Sequence, residues 1–280
     1  MPHENMTIGI NPPPSSQASP VRKMTVTLRA ERHLAIDSPD HLMPWGTRIN
    51  DCVNPRFNSK LWRAYPETQV VRILDLGCSG GAFVKSCIDD GHFAVGLEGS
   101  DFSKLHSRSA WATIPDFLFT CDVTRPWKLT VDRGFGDQPL NFDVVTAWDV
   151  IEHIQDSDLP SLAANVHSHL APGGLWILSV ANHEDIVGGV RLHQIVQPKA
   201  WWRKRFQELD FVPLDDFAAY FSTQFVRGAR RDSERSFHFV LTNEPKGAPQ
   251  VPSRSRLHRM HDRWLGSKAQ RSLKRIVVGE

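Results

Sequence analysis

A glycine-rich turn follows an apolar run in the stretch RILDLGCSGGAF, residues 72–83. Asp75 precedes the glycines Gly77, Gly80 and Gly81, and a segment with helical spacing follows them. Glycine lets the backbone adopt positive φ and approach a ligand closely, and the free N–H groups of the next helix attract polar or negative groups. Nicotinamide dinucleotides and S-adenosylmethionine are both held by such turns, so the turn alone leaves both ligands open.

The acidic residues around the turn separate these two ligands. The dinucleotide fingerprint is G-x-G-x-x-G, and the order D-x-G-x-x-G-G does not fit it. Asp75 would repel a pyrophosphate but could bind an ammonium group. Glu98 ends the next apolar run, where a carboxylate takes a ribose diol. Cys121 and Asp122 follow the third run and could accept a hydrogen bond from an adenine amino group. This set favours S-adenosylmethionine.

The elements that position these residues alternate along the chain. Apolar runs predict strands, and stretches with helical spacing predict the helices between them. Such alternation predicts an α/β fold, with a parallel sheet and helices on both faces. Because crossovers are right-handed, the carboxyl ends of the strands share one edge, where ligands bind. The predicted strands are 70–76, 92–100, 117–123, 141–150, 175–182 and 236–243, and the predicted helices 81–91, 101–114, 156–171 and 198–210.

Composition divides the chain into four parts. Residues 1–20 are rich in Pro and Ser and are predicted to be disordered. Residues 21–66 form an N-terminal extension, in which VRKMTVTLRAERH could be a strand or a helix and DHLMPWGTRIND could be a lid over the cofactor. Residues 67–243 form the main domain. Residues 244–280 form a linker and a basic tail, with nine Lys/Arg against two acidic residues from Lys246 onward.

The overall composition is that of an ordinary globular protein, with 40% hydrophobic and 23% charged residues and a formal net charge of +2. The four cysteines Cys52, Cys78, Cys87 and Cys121 are scattered, which predicts free thiols in a reducing compartment. We find neither a secretory leader nor an apolar run long enough to span a bilayer. A cytoplasmic location is therefore the expectation.

The ordered set of motifs resembles the class I S-adenosylmethionine-dependent methyltransferases, over roughly residues 60–243. It consists of the LDLG loop, the acid after the second strand, CD after the third, FDVV and EH at the fourth, and LAPGG before the fifth. The most similar subgroup contains the quinone-biosynthesis C/O-methyltransferases. The resemblance implies a Rossmann-like, mostly parallel seven-stranded sheet with an antiparallel last strand. The usual loop is D/E-x-G-x-G-x-G, and here Ser79 replaces its middle glycine.

Cofactor contacts follow from the resemblance, position by position. It implies that the methionine end is bound by Asp75, Gly77 and the adjacent loop, that Glu98 binds the ribose and Asp122 the adenine, and that Asp149 is a wall of the pocket. The full predicted set of cofactor-binding residues is Asp75, Gly77, Cys78, Ser79, Gly81, Glu98, Gly99, Asp122, Val123 and Asp149.

Two histidines are candidate catalytic residues. Methyl transfer is an in-line displacement in which the protein supplies proximity and orientation, and an oxygen or nitrogen acceptor can also need a general base. His153 follows the fourth strand and His193 lies in the loop after the fifth, where the acceptor side of such folds lies. No metal site is predicted, because Asn182 follows Ala181 where metal-dependent relatives carry a carboxylate.

The predicted function is methyl transfer from S-adenosylmethionine to a small molecule or glycan, chiefly at oxygen. A nucleic-acid methyltransferase that uses the basic tail for phosphates is an alternative, although no NPPY-like motif or RNA-binding module is evident. A non-catalytic relative and an NAD-dependent oxidoreductase are further alternatives. The three carboxylates Asp75, Glu98 and Asp122 argue against the former, and the loop order argues against the latter.

Overall fold

The structure is a computed structural model that describes residues 24–43, 53–132, 134, 136–229 and 231–253. The predicted disordered segment 1–20, most of the predicted lid and the basic tail beyond residue 253 lie outside the described residues. All statements below concern the described part of the chain.

Seven strands form the main sheet, in the spatial order β11-β12-β8-β7-β2-β3-β4. Strands β8, β7, β2, β3 and β4 are parallel to their neighbours. The last strand, β12, is antiparallel to β8, and the short β11 is antiparallel to β12. The strands of this sheet are β2 (Arg72–Leu76), β3 (Phe93–Glu98), β4 (Leu118–Thr120), β7 (Phe142–Trp148), β8 (Leu170–Ala181), β11 (Val212–Pro213) and β12 (Ser236–Thr242).

The helices follow the apolar spacing of the sequence. α2 begins after Asn54, whose side-chain oxygen accepts a hydrogen bond from the Arg56 backbone N–H. α3 begins at Gly81, which has positive φ. The helices are α1 (Pro39–Leu42), α2 (Pro55–Ala64), α3 (Ala82–Asp89), α4 (Phe102–Leu105), α5 (Leu159–His169), α6 (Lys199–Glu208) and α7 (Asp215–Phe221).

One predicted helix is wrong. Residues 101–114 do not form a continuous helix but the short α4 and a separate 3-10 turn, Ser109–Ala112. Ser107 and Ser109 both have positive φ, at 45° and 51°, which a right-handed helix cannot accommodate.

A second, antiparallel sheet lies outside the predicted elements. It has the order β1-β5-β6 and is formed by β1 (Thr25–Ala30), β5 (Trp127–Asp132) and β6 (Gln138–Pro139). The ambiguous segment before residue 33 is therefore a strand. A small hairpin of β9 (Ile186–Val187) and β10 (Val190–Arg191) follows β8.

Two clusters of buried side chains flank the main sheet. One contains Trp176, Trp202 and Phe206 and extends under the second sheet. The other contains Phe57, Phe221 and Trp148, with residues from α2, α3 and α7. Alternate residues of β7 and β8 enter opposite clusters, as expected for strands buried on both faces. The α/β fold, the mostly parallel seven-stranded sheet and the antiparallel last strand are thus confirmed. Within the described residues, no helix is long and apolar enough to cross a membrane.

The chain after β12 packs against the amino end of β8. Gly173 has φ of 71°, and its N–H donates to the Asn243 side-chain oxygen. A Cβ added at Gly173 would lie 2.1 Å from backbone atoms of Gly247. Only glycine allows this contact between two backbones.

We expect Gly173→Ala to destabilise the fold by about 2–4 kcal/mol, since it adds overpacking to the cost of positive φ. Gly91→Ala is the matched control: Gly91 has φ of 88° but no atom within 4 Å of an added Cβ, so its cost is only about 1–2 kcal/mol. Urea unfolding midpoints measure both costs. Equal losses would show that the contact with Gly247 contributes nothing.

Candidate active site

The glycine turn joins β2 to α3 at the carboxyl edge of the sheet. The N–H groups of Gly77 and Cys78 both donate to the Leu97 carbonyl, at 2.8 and 3.0 Å, which fixes the turn beside the end of β3. Gly77 has φ of 68°, and a Cβ there would lie 2.4 Å from the Val150 side chain. Glycine at this position therefore lets the turn pack directly against the Val150 side chain.

Ser79 adopts the left-handed conformation that the missing glycine of the loop would adopt easily, with φ of 51°. Its N–H donates to Glu98 Oε2 at 2.5 Å, its carbonyl accepts from the Trp111 indole at 2.8 Å, and its hydroxyl lies 3.3 Å from Arg108 Nη1. These contacts compensate the cost of positive φ in a residue with a Cβ.

A cavity of about 390 Å³ opens above the turn. The carboxyl ends of the parallel strands form its floor. The segment between β1 and α1, the loop after β8 and one residue of the loop after α7 form its walls. Most of the predicted site residues line it: Gly77, Ser79, Glu98, Gly99, Asp122, Val123, Asp149, His153 and His193.

Three predicted residues lie behind the cavity wall instead, namely Asp75, Cys78 and Gly81. Asp75 is 2% exposed and accepts a hydrogen bond from the Thr146 hydroxyl at 2.6 Å, within the β2–β7 pair. Cys78 is buried, and Gly81 faces Leu118. These residues support the turn from below.

Two carboxylates define one end of the cavity. Glu98 accepts hydrogen bonds from the N–H groups of Ser79 and Ser100. Burial raises the pKa of Glu98, although these two hydrogen bonds act in the opposite direction. Asp122 is 5% exposed, and its Oδ1 accepts from the Thr124 N–H and hydroxyl. Its Oδ2 lies 3.7 Å from Arg32 Nη1. A polar ligand with hydroxyl and amino donors fits between these groups.

Asp149 lies between this end of the cavity and the end that contains His153 and His193. It has φ of 53°, an uncommon conformation for a residue other than glycine. Its N–H donates to the Ser179 hydroxyl oxygen at 2.9 Å, and the same hydroxyl donates to its Oδ1 at 2.5 Å. Its Oδ2 lies 2.9 Å from Arg227 Nε. Backbone strain held by several bonds in this way is common at functional sites.

Glu152 lies fully buried beneath the other end. Its Oε1 accepts from the Ala181 N–H at 2.8 Å, and its backbone carbonyl accepts from the N–H groups of Gln194 and Ile195. Burial, and then the charge of Asp149, raise the pKa of Glu152 well above its usual value. This shift favours the neutral acid, and the residue ties the end of β8 to the loop of His193.

Three histidines meet above Glu152. The ring of His193 makes edge contacts with His153 and His183, with centroids 4.7 and 4.9 Å apart. Burial lowers the pKa of His153 to about 3, with further contributions from His193 and Arg227. Burial also lowers the pKa of His193. Both rings are therefore neutral near pH 7.

The hydrogen bonds of His193 define its tautomer. Nδ1 lies 2.5 Å from the His183 carbonyl, an acceptor, so Nδ1 carries the hydrogen and Nε2 carries the lone pair. Nε2 lies 4.0 Å from Asp185 Oδ2. This arrangement can take a proton at Nε2 and stabilise the resulting positive charge through Asp185.

A metal could be considered at one place within the described residues. Ligand atoms of Glu152, His153 and His193 lie within 4.8 Å of one another. The sequence prediction examined Asp149 and Asn182 and did not consider this set. Glu152 Oε1 bonds to the Ala181 N–H and His193 Nδ1 to the His183 carbonyl, so Glu152 Oε2 and His193 Nε2 are the atoms of these two residues that could bind a metal.

Several cavity residues were missed by the sequence reasoning. They come from loops without a motif, and a histidine or arginine in a loop has no spacing that distinguishes it. The position of His183 and Asp185 just after a strand end was the one available signal. The missed residues include Arg32, Asp37, Ser38, Thr124, Arg125, Trp148, His183, Asp185, Leu192 and Arg227.

Comparisons with known proteins agree with this geometry. The family described as "Methyltransferase domain" matches residues 35–224. The ubiquinone biosynthesis O-methyltransferase of Mesorhizobium japonicum is 28% identical over 138 residues, which are 48% of this chain and 50% of that protein. The protein of the same name from a Chelativorans species is 27% identical over 124 residues, 43% of this chain and 44% of its own. The chain thus spans about half the length of these relatives.

Among solved structures, an S-adenosylmethionine-dependent methyltransferase from Clostridium acetobutylicum aligns with a TM-score of 0.49 at 12% identity, over 73% of this chain and 96% of that one. Fold and site define a class I S-adenosylmethionine-dependent methyltransferase. The chain belongs to the methyltransferase-domain family, and its cofactor is S-adenosylmethionine. The residues present fit this group: Gly77 and Ser79 of the turn line the cavity, and Glu98 and Asp122 beside them offer carboxylate oxygens to its hydroxyl and amino groups.

We expect Glu98→Ala to weaken binding of S-adenosylhomocysteine by about 10–100-fold, because it removes a charged acceptor from the cavity. Asp75→Asn is the comparison variant, since Asp75 does not line the cavity and its change should lower the melting temperature rather than the affinity. Titration calorimetry and thermal unfolding measure the two effects. Unchanged affinity in Glu98→Ala would contradict the position of the cofactor.

We expect acid to destabilise the protein through His153. Its folded pKa is about 3 and its unfolded pKa about 6.5, so between these values the unfolded state binds more protons. Stability therefore falls as the pH drops below about 6.5, by up to about 1.4 kcal/mol per pH unit for this one proton.

His153→Gln should flatten the stability profile between pH 6.5 and 4, as measured by urea unfolding at each pH. His106→Gln, on an exposed histidine, should leave the profile unchanged. A profile of His153→Gln parallel to that of the wild type would contradict the buried, neutral state of His153.

Proposed function

We propose that the protein methylates a hydroxyl oxygen of a small molecule, with His193 as the general base. The observation that carries this proposal is the tautomer of His193, whose unprotonated Nε2 belongs to a cavity wall that also holds Asp185. The two relatives named above are O-methyltransferases, which supports oxygen as the acceptor atom.

The cofactor occupies the end of the cavity formed by the glycine turn in this proposal. Glu98 binds the ribose hydroxyls, Asp122 accepts from the adenine amino group, and the turn from Gly77 to Ser79 holds the methionine end. When bound, S-adenosylmethionine supplies a methyl group on a positively charged sulfur, which is already a good electrophile. The protein therefore contributes orientation and proton removal.

The acceptor occupies the other end, beside the three histidines. As the acceptor oxygen forms a bond to the methyl carbon, the bond between that carbon and the cofactor sulfur would break, leaving a neutral thioether. The hydroxyl proton passes to His193 Nε2, and the carboxylate of Asp185 stabilises the imidazolium that forms. His183 fixes the ring through its carbonyl. His153 is a neutral neighbour: its pKa of about 3 makes it a poor base, so we assign it a positioning role beside His193.

The acceptor hydroxyl needs a base only if it is poorly acidic. The lowered pKa of His193 keeps the ring unprotonated across neutral pH, which is the state that the proposal requires. The remaining candidate acceptors, glycans and nucleic acids, find no specific support among the described residues.

We expect His193→Gln to reduce the turnover number by about 10²–10⁴-fold while leaving the affinity for S-adenosylhomocysteine unchanged. The acceptor is first found by incubating the protein with methyl-labelled S-adenosylmethionine and pools of hydroxylated metabolites. His41→Gln, outside the cavity wall, serves as the control. A His193→Gln enzyme with the wild-type rate and pH profile would exclude the base role.

A further inference from the structure

Arg227 is the cation at the acceptor end of the cavity. It lies in the loop after α7 and lines the cavity with a side chain that is 26% exposed. Its Nε forms the ion pair with Asp149, and the structure gives its two terminal nitrogens no partner among the described residues. A guanidinium held by one nitrogen in this way presents two further nitrogens, with four N–H groups, to a ligand.

The backbone holds Arg227 firmly in this place. The buried ring of His238, on β12, lies with Nε2 2.8 Å from the Arg227 carbonyl and Nδ1 2.9 Å from Asp232 Oδ1. Phe225 stacks on the same ring at 4.0 Å. Gly228, with φ of 90°, lets the loop approach, since a Cβ there would lie 2.6 Å from His238 Nε2. An arginine that is already ordered loses little conformational entropy when it binds a ligand.

The charges around Arg227 leave it free to bind an anion. The Asp149 carboxylate accepts a hydrogen bond from the Ser179 hydroxyl at Oδ1, in addition to its ion pair with Arg227 at Oδ2. Burial raises the pKa of Glu152 and so favours its neutral form, and the lowered pKa of His153 keeps that ring uncharged. Asp185 is at the rim, with its side chain 40% exposed. The other cavity arginines are paired elsewhere, Arg32 with Asp37 and Asp122, and Arg125 with Asp158.

Aromatic surface accompanies the arginine. His153 and His193 line the cavity with their rings in edge contact at 4.7 Å, and Trp148 lines it too, although its ring packs against Phe57 and Phe83. Aromatic side chains bind flat rings through stacked or edge contacts. An arginine beside them matches a carboxylate with two parallel hydrogen bonds.

We propose that Arg227 binds a carboxylate of the methyl acceptor, which makes the acceptor an aromatic hydroxy acid. The hydroxyl lies toward His193 and the carboxylate toward the terminal nitrogens of Arg227. This inference rests on the proposed function for the orientation of the acceptor, but the anion site itself does not depend on methyl transfer.

The test compares 3-hydroxybenzoate with its uncharged counterpart 3-hydroxybenzamide, titrated into the protein saturated with S-adenosylhomocysteine. Calorimetry or saturation-transfer NMR measures binding. Wild-type protein is expected to prefer the acid by about tenfold or more. Arg227→Met should abolish the preference. Arg191→Met is the matched control, since Arg191 is an exposed arginine paired with Glu184 outside the cavity wall, and it should retain the preference.

Three other outcomes would overturn the inference. Equal binding of acid and amide to the wild type would exclude a carboxylate site without any variant. An undiminished preference in Arg227→Met would assign the anion to another residue. Loss of S-adenosylhomocysteine binding in folded Arg227→Met would make Arg227 a cofactor residue. If no oxygen acceptor is found but the preference depends on Arg227, the proposed function fails and the anion site stands.

Discussion

The hydrogen bonds of Glu152 hold the acceptor half of the cavity together. One carboxyl oxygen binds the last residue of β8, and the backbone carbonyl binds the two residues after His193. The end of β8 and a part of the following loop that begins thirteen residues further on are thereby brought to one point. A neutral acid suits this position, because a buried charge without a partner would be costly. Burial likewise lowers the pKa values of His153 and His193 above it and keeps these two rings neutral.

The half of the cavity that we assign to the cofactor depends on a different feature, the serine at position 79 in place of a loop glycine. A left-handed residue with a Cβ is normally unfavourable, and here Glu98, Trp111 and Arg108 all bond to Ser79. The Glu98 carboxylate thus does two things: it stabilises the turn and it offers acceptor oxygens to the cavity. The 3-10 turn around Trp111 exists where a regular helix was expected, and its indole reaches the loop because the helix is interrupted.

Much of the fold could be predicted from sequence because strands buried on both faces are continuous apolar runs. The runs ending at Leu76, Glu98 and Trp148 predict both the sheet and the edge at which ligands bind. The second sheet could not be predicted in the same way, since Gln138–Pro139 is too short to show a pattern and β1 pairs with a strand about a hundred residues away. Asp75 shows the limit of a motif: its type suggests contact with the ligand, but its position in β2 turns it toward Thr146. Arg227 shows that a site residue can lie outside any motif. Its position depends on contact with the ring of His238, which is brought next to it only by folding.

The contact of Gly173 with Gly247 also determines where the chain leaves the domain. Strand β8 ends at Ala181 in the cavity wall, and Gly173 lies eight residues earlier, about 26 Å away along an extended strand. The backbone after β12 therefore returns to the edge of the sheet opposite the cavity. A fluorophore or a surface linker attached at Ala248 would stand clear of the cavity mouth, so the protein can be immobilised there with its substrates still free to enter.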